Sequence, residues 1–420
     1  MTTKYNLKQQ QVIDAVEPFT MVIAPAGSGK TSTLVGTIQK HIQQHPDDHI
    51  TAITFTRKAA MELITRINDT RIETSTIHSW AYRRLNDLGG EYGFKVQLLQ
   101  EETIKEILIK LCRLRHHYHI NIFQLYSYAM GNYNIDVDDS IKKTFEKIRR
   151  DYIAYKRKNT LYDFTDLPEY LLDKLKEYEQ DIKDIDALFV DEFQDIDPIQ
   201  LELFNLVKSK RKMYIGDPCQ SIYQFRGSMD NIMDNMTGFK TYDLNINYRS
   251  YQEIIDYATT ARTQGVDILC EGNIYDFTGT DFIESSNIEC ENGNGGMVYL
   301  INRLGTCTNL TNDKQMGDIT TIKSLIADKN TQLLCRSNKQ VKKMQALGIE
   351  NVSTIHHAKG LEYDNVIITD FPIDCDEELN VMYVGMTRAR KKLCVCRFDI
   401  LAFILCQQGV QDIIPTNKLF

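Results

Sequence analysis

The stretch Ala24–Leu34, Ala-Pro-Ala-Gly-Ser-Gly-Lys-Thr-Ser-Thr-Leu, constrains this chain more than any other. It follows an apolar run, Thr20–Ile23, that reads as a strand, and it precedes Thr31–Gln44, which reads as a helix. A Gly-rich turn between strand and helix is the setting in which such a motif cradles phosphate. Successive backbone N–H groups turn inward to form an anion nest, and the helix adds its positive N-terminal end. Gly27 and Gly29 let the backbone approach an anion with no Cβ in the way. Lys30 is placed to reach the β- and γ-phosphates of a nucleotide, and the Thr31 hydroxyl to hold Mg²⁺. Ala24, Pro25, Ala26, Ser28 and Ser32 complete the expected cradle, with Ala24 standing where the strict pattern has Gly.

The rest of the chain repeats the strand–helix alternation of a parallel sheet. Ile50–Thr54 and Ile72–Thr76 read as strands, with a helix over Ala59–Ile67 between them. From Arg83 to about Leu161 the pattern turns helical, as in Glu101–Arg115 and Ile141–Lys158, which looks like an insertion. Strands resume at Ala187–Val190, Lys212–Ile215 and Thr241–Leu244. A second block holds Met297–Ile301, Thr331–Leu334, Asn351–Ile355, Val366–Thr369 and Leu393–Cys396. Gly, Asn and Glu crowd Glu284–Gly296, which reads as a surface loop.

A length of 420 residues exceeds one ordinary core and points to two or three domains. The net charge of −8 means that any nucleic acid must be met by a local patch or groove. That patch could be Ile141–Asn159, where Lys142, Lys143, Lys147, Arg149, Arg150, Lys156, Arg157 and Lys158 cluster with Tyr152 and Tyr155; a solvated helix face is the equal alternative. No apolar run has the ~18 residues of a membrane span, and Met1–Asn6 lacks the apolar region of a secretory signal. None of the ten cysteines has paired Cys-x₂-Cys spacing, so reduced thiols in a cytoplasmic compartment are expected. His41, His45 and His49 have helical spacing, but Pro46 interrupts the helix, so no metal site is expected there.

Two further stretches carry chemistry. Leu188–Asp195 is an apolar strand that runs into carboxylates, and ligands of α/β sheets sit beyond the carboxyl ends of strands. Asp191 at the strand tip is placed to hold Mg²⁺ through water, and Glu192 to polarise an attacking water. Tyr214–Gly227 sets the amide of Gln220 just past another strand, followed by Tyr223, Phe225 and Arg226. Exposed aromatics beside Arg suit base stacking on a single strand, and either aromatic alone could equally be core.

The whole ordered series resembles superfamily 1 helicases of the UvrD/Rep/PcrA group. Asn6-Leu7-Lys8-Gln9 is similar to the family's Q motif, and Ala52–Ala60 to its Thr-Phe-Thr-Asn-x-Ala-Ala stretch, with Arg57 replacing Asn. Thr76-Ile77-His78-Ser79, Tyr162–Leu167 and Asn247-Tyr248-Arg249-Ser250 resemble three more motifs. Thr354–Tyr363, then Glu378 with Tyr383–Arg390, resemble the last two. The resemblance implies ATP and Mg²⁺ as cofactors, with Gln9 reading the adenine edge, Tyr248 stacking on adenine and Glu362 touching the ribose. It implies that Gln220 senses the γ-phosphate and that Arg249 and Arg388 are the γ-phosphate arginines. Phe55, Tyr223 and Phe225 would form base pockets, and Thr56, His78 and His356 would line the strand.

It further implies two RecA-like P-loop NTPase domains in tandem. The first would comprise residues 1–83 and 163–246 with a helical insertion over 84–162, the second 247–408, with a tail over 409–420. The family's 2B subdomain is expected to be absent near Glu350-Asn351. The implied activity is ATP-dependent 3′→5′ translocation on single-stranded DNA with separation of tailed duplex DNA. The expected setting is a monomer in a prokaryotic or phage-infected cell, away from membranes. A DNA-stimulated translocase that displaces proteins without unwinding is the alternative.

Overall fold

The computed structural model describes residues 5–131, 137, 139–223, 227–229, 232–271, 287–301, 307–309, 316–317, 326–369 and 375–396. It forms two compact units, the first comprising Met1–Val22, Thr31–Ile215 and Phe225–Tyr242, the second Ile23–Lys30, Gly216–Gln224 and Asp243–Phe420.

Unit 1 is built on strands β1 (Phe19–Ile23), β2 (Ile50–Thr54), β3 (Ile72–Thr76), β4 (Ala187–Val190), β5 (Arg211–Gly216) and β6 (Lys240–Asp243). They form one sheet in the order β3-β2-β4-β5-β1-β6. The β3, β2, β4 and β5 ladders are parallel, with Ala52 opposite both Thr74 and Phe189, and Phe189 opposite Met213. Every residue of β2 and β4 is buried, as expected of central strands covered on both faces. Four helices follow the early motifs: α1 (Leu7–Ile13), α2 (Lys30–Gln44), α3 (Arg57–Ile67) and α4 (Ile77–Tyr92).

The helical stretch forms α5 (Glu101–Leu114), α6 (Ile122–Ala129) and α7 (Asp139–Asn159), which share a core of their own around Leu108, Leu125, Phe145, Ile148 and Tyr152. Then α8 (Leu167–Glu177) and α9 (Pro198–Leu206) return the chain to the sheet. The basic stretch divides within α7. Lys143, Lys147, Arg150, Arg157 and Lys158 are exposed, whereas Lys156 is buried. Its ammonium lies 2.7 Å from Asp163 Oδ2 and 2.5 Å from Asp166 Oδ2, and the Tyr152 hydroxyl donates to Asp163 at 2.8 Å. Lys156 and Tyr152 therefore tie α7 to the turn before α8.

In unit 2, β7 (Ile246–Asn247) pairs with β8 (Glu289–Cys290), so the stretch expected as loop at Glu284–Gly296 contains a short strand. Helix α10 (Gln252–Glu271) lies between them in sequence. The main sheet takes β9 (Met297–Ile301), β10 (Cys307–Asn309), β11 (Met316–Gly317), β12 (Thr331–Cys335), β13 (Val352–Thr354), β14 (Tyr363–Ile368) and β15 (Ala389–Cys396). Its order is β11-β10-β9-β15-β14-β12-β13, parallel from β9 to β13 with β10 and β11 antiparallel at one edge. Alternation sorts the side chains: Val366, Ile368, Leu393 and Val395 enter one core, and Ile367, Cys394 and Cys396 the other. Helices α11 (Asn338–Ala346), α12 (Ile355–Ala358) and α13 (Asp376–Met386) accompany this sheet. Residues 347–351 alone connect α11 to β13, turning at Gly348 with φ +83°.

Candidate nucleotide and nucleic-acid sites

Many of the expected site residues follow the carboxyl ends of parallel strands, whereas Gln9, Glu362 and Arg388 precede β1, β14 and β15. The Lys212 N–H donates to Pro18 O at 2.7 Å and the Ala24 N–H to Gly216 O at 2.8 Å, so β1 runs in the direction of β5. Beyond β1 the chain enters the Gly-rich turn and α2 starts at Lys30, with Thr31 in its first turn. Gly27 and Gly29 have φ of +72° and +80°, the left-handed region that favours glycine.

The turn is braced from far along the chain. Asn247 Nδ2 donates to Ala26 O at 2.6 Å and the Tyr248 N–H to Gly27 O at 2.8 Å. A Cβ on Gly27 would lie only 2.7 Å from Asn247 Nδ2. The Ser32 hydroxyl accepts from Arg66 Nη2 at 2.7 Å, which links α2 to α3. Gln9 is buried as the third residue of α1, and its amide oxygen accepts the Asn6 N–H at 3.1 Å in a capping box.

Past β4, Asp191 is buried and its Oδ1 accepts the Glu192 N–H at 2.9 Å. Glu192 has φ +54° and ψ 41°, a conformation that costs a non-glycine residue about 1–2 kcal/mol. The buried Gln194 donates from Nε2 to Glu192 Oε2 at 2.6 Å. Sequence reading gave Gln194 no role; only its position two residues past the candidate base, in the charged turn Asp191–Asp195, sets it apart.

Four of the expected nucleotide residues meet around Thr387 in unit 2. Arg388, 1% exposed, donates to Val384 O at 2.9 Å, Leu361 O at 3.2 Å and Gln220 Oε1 at 3.2 Å. The other end of the Gln220 amide donates to Asp217 Oδ2 at 2.6 Å. Arg249 donates to Thr387 O at 3.1 Å and to Glu362 Oε2 at 3.0 Å. Asn247 Oδ1 takes the N–H groups of Arg249 and Ser250, each at 2.8 Å, which fixes the turn that carries Arg249. Tyr248 beside it is 40% exposed. Glu362 thus faces Arg249 here, a pairing that its expected ribose contact did not anticipate.

The expected nucleic-acid residues fall in two places. In unit 1, Phe55 is half-buried just past β2, and the Thr56 hydroxyl caps α3 by accepting the Ala59 N–H at 3.1 Å. The His78 ring stacks on Phe164 with centroids 5.5 Å apart and planes 15° apart. Burial holds the His78 pKa below its ordinary value. Phe164 is 49% exposed, an open aromatic face that the motif reading passed over. In unit 2, Tyr223 is half-buried against the core, with the Lys359 ammonium 4.8 Å from its ring centroid. His356 is buried, with Nε2 3.2 Å from Ile222 O. Phe225 and Arg226 lie outside the described residues.

Among the described residues no group of three or more His, Cys, Asp or Glu side chains is placed to hold a metal ion. His41 is occupied otherwise, with Nε2 3.0 Å from Asp48 Oδ2 and Nδ1 3.3 Å from Arg211 Nη1. No helix among the described residues is long and apolar enough to cross a membrane.

The sequence also matches known proteins. Residues 5–240 match the family model of the UvrD/REP helicase N-terminal domain, and residues 299–399 that of the UvrD-like helicase C-terminal domain. A protein of Acanthamoeba polyphaga mimivirus, provisionally named an ATP-dependent DNA helicase, is 27% identical over 94% of this chain and 54% of its own length. The ATP-dependent DNA helicase PcrA of Leuconostoc citreum is 30% identical over 61% of this chain and 39% of its own length. The ATP-dependent DNA helicase Rep of Buchnera aphidicola (subspecies Acyrthosiphon pisum) is 27% identical over 63% of this chain and 46% of its own length. The chain spans about half the length, or less, of these curated relatives. With the first model alone covering more than half of its residues, and with both models in order along it, the chain belongs to the UvrD/Rep family of helicases.

Proposed function

We propose that this chain is an ATP-driven motor that moves along single-stranded DNA, 3′ to 5′, and separates tailed duplex. The observation that carries the reading is the cluster around Thr387, where two guanidiniums, Arg249 and Arg388, stand with the amide of Gln220. Guanidiniums fixed by backbone carbonyls are suited to take a phosphate, and an arginine in that role raises phosphoryl transfer by about 10³–10⁵-fold. Lys30 meets the β- and γ-phosphates, Glu192 orients and polarises the attacking water, and Gln220 reports the γ-phosphate. Tyr248 stacks on adenine while Gln9 reads its edge. Ala24–Ser32 supply the backbone cradle, and Glu362 reaches the ribose when Arg249 turns to phosphate.

Thr31 and Asp191 offer a hydroxyl and a buried carboxylate, the hard oxygen donors that Mg²⁺ takes. The ion would neutralise charge on the β- and γ-phosphates. Phe55, Thr56, His78, Tyr223, Phe225, Arg226 and His356 form the strand contacts. The division into a first motor domain (1–83 and 163–246), a helical insertion (84–162), a second motor domain (247–408) and a tail (409–420) belongs to the same reading. So do the missing 2B subdomain, the monomeric state and a cytoplasmic setting.

Strand displacement on 3′- and 5′-tailed duplexes, with Glu192→Gln alongside, tests the proposal. The 3′-tailed duplex should be separated only with ATP, and Glu192→Gln should bind ATP yet turn it over at least 100-fold more slowly. Single-strand-stimulated hydrolysis without separation of either duplex would favour the protein-displacing translocase. Wild-type turnover in Glu192→Gln would remove that residue from catalysis.

A further inference from the structure

Three consecutive carbonyls in unit 2 each accept a side-chain donor from elsewhere in that unit. Lys359 Nζ donates to Gln220 O at 2.9 Å, Asn380 Nδ2 to Ser221 O at 3.0 Å, and His356 Nε2 lies 3.2 Å from Ile222 O. The stitched segment begins at Gln220 and runs into Tyr223, whose ring Lys359 also covers. It therefore joins the proposed γ-phosphate sensor to a proposed base contact over three residues. Asn380 makes the middle stitch. It is buried on α13, and its amide is oriented by Arg262 of α10, whose Nε donates to Asn380 Oδ1 at 2.9 Å. With the oxygen committed to Arg262, only the NH₂ end can face Ser221 O. A backbone held at three successive carbonyls moves as one piece, so a change at the Gln220 side chain has to be felt at Tyr223.

We infer that Asn380 is a positioning residue that couples nucleotide state to single-strand affinity by holding Gln220–Tyr223 in register. The inference rests on the reading of Gln220 and Tyr223 given above. Coupling of this kind is reciprocal, so it can be read from binding alone.

The test is a pair of single-strand dissociation constants, one with ADP and one with a non-hydrolysable ATP analogue, measured for wild type, Asn380→Asp and Asn380→Leu. Asn380→Asp keeps an acceptor for Arg262 but removes the donor to Ser221 O; Asn380→Leu removes both. Wild type should show at least a fivefold difference between the two nucleotides. Asn380→Asp should bring that ratio to within twofold of one, counted per folded molecule, while nucleotide affinity stays close to wild type. A wild-type ratio in folded Asn380→Asp would overturn the inference. If only Asn380→Leu lost the ratio, and with it the melting temperature, Asn380 would be a packing residue, which also overturns it. A wild-type protein that bound no single strand would fail the proposed function instead, a result distinct from either.

Discussion

Gln194 holds Glu192 by a 2.6 Å hydrogen bond across a turn in which Glu192 adopts a left-handed backbone. The buried amide fixes one carboxylate oxygen and so sets where the other can point. A hydrogen bond to a charged group contributes about 1.5–3 kcal/mol, roughly 10- to 100-fold in a rate if it is fully needed at the barrier.

Gln194→Ala should therefore lower kcat for ATP by about that factor with little change in KM. Gln194→Glu should do worse, because a second carboxylate beside Glu192 raises its pKa. The acid limb of the kcat–pH profile should then move upward, which steady-state hydrolysis between pH 5 and 9 would reveal. An unshifted limb would mean that Gln194 only fills space.

The Lys156 network sets a stability contrast on one helix. Lys156→Met leaves Asp163 and Asp166 facing each other without their cation, and should destabilise the fold by about 3–5 kcal/mol. Lys158→Met, on an exposed residue of the same helix, should stay within about 0.5 kcal/mol of wild type. Urea unfolding followed by circular dichroism distinguishes the two.

Lys212 gives a pH dependence. Burial pushes its ammonium down from 10.5 to about 8, with Nζ donating to Phe204 O at 2.7 Å. Between about pH 8 and 10.5 the unfolded chain carries the proton and the folded chain does not. Its contribution to stability therefore rises with pH across that window. Lys212→Met should flatten this rise, as denaturant midpoints at pH 7.5, 9 and 10.5 would show.

Salt dependence separates two kinds of nucleic-acid residue. Burial favours neutral His78, so His78→Ala should weaken single-strand binding without changing its salt slope. Exposed cations of α7 behave differently if they meet phosphate. Neutralising Lys143, Lys147 and Arg150 together should cut the slope for tailed duplex by about 0.9 per lost contact. Anisotropy titrations across a salt series give both values, and an unchanged duplex slope would leave those side chains as a solvated face.

Much of this was legible because the motifs are local. The Gly-rich turn, the carboxylates past β4 and the strands Ile50–Thr54, Ile72–Thr76, Ala187–Val190 and Met297–Ile301 lie where the residue pattern puts them. What escaped was long-range pairing. Lys156 looks like any other cation of a basic helix until Asp163 and Asp166 fold back onto it. Thr56 and Gln9, expected to meet ligands, also cap α3 and α1 through contacts three residues away. Gln194 and Asn380 carry no motif signal, since an amide shows its use only when its partners are in place.

The brace between Asn247 and the Gly-rich turn spans 221 residues of sequence. The turn therefore gains its brace only when a residue far along the sequence is in place. A fragment ending at residue 240 would contain every residue of the Gly-rich turn and still lack the amide that donates to Ala26 O. During translation, Asn247 must leave the ribosome before this turn can acquire its brace. The Gly-rich turn is in that sense built from two distant stretches, and the first 240 residues carry it without the amide that braces it.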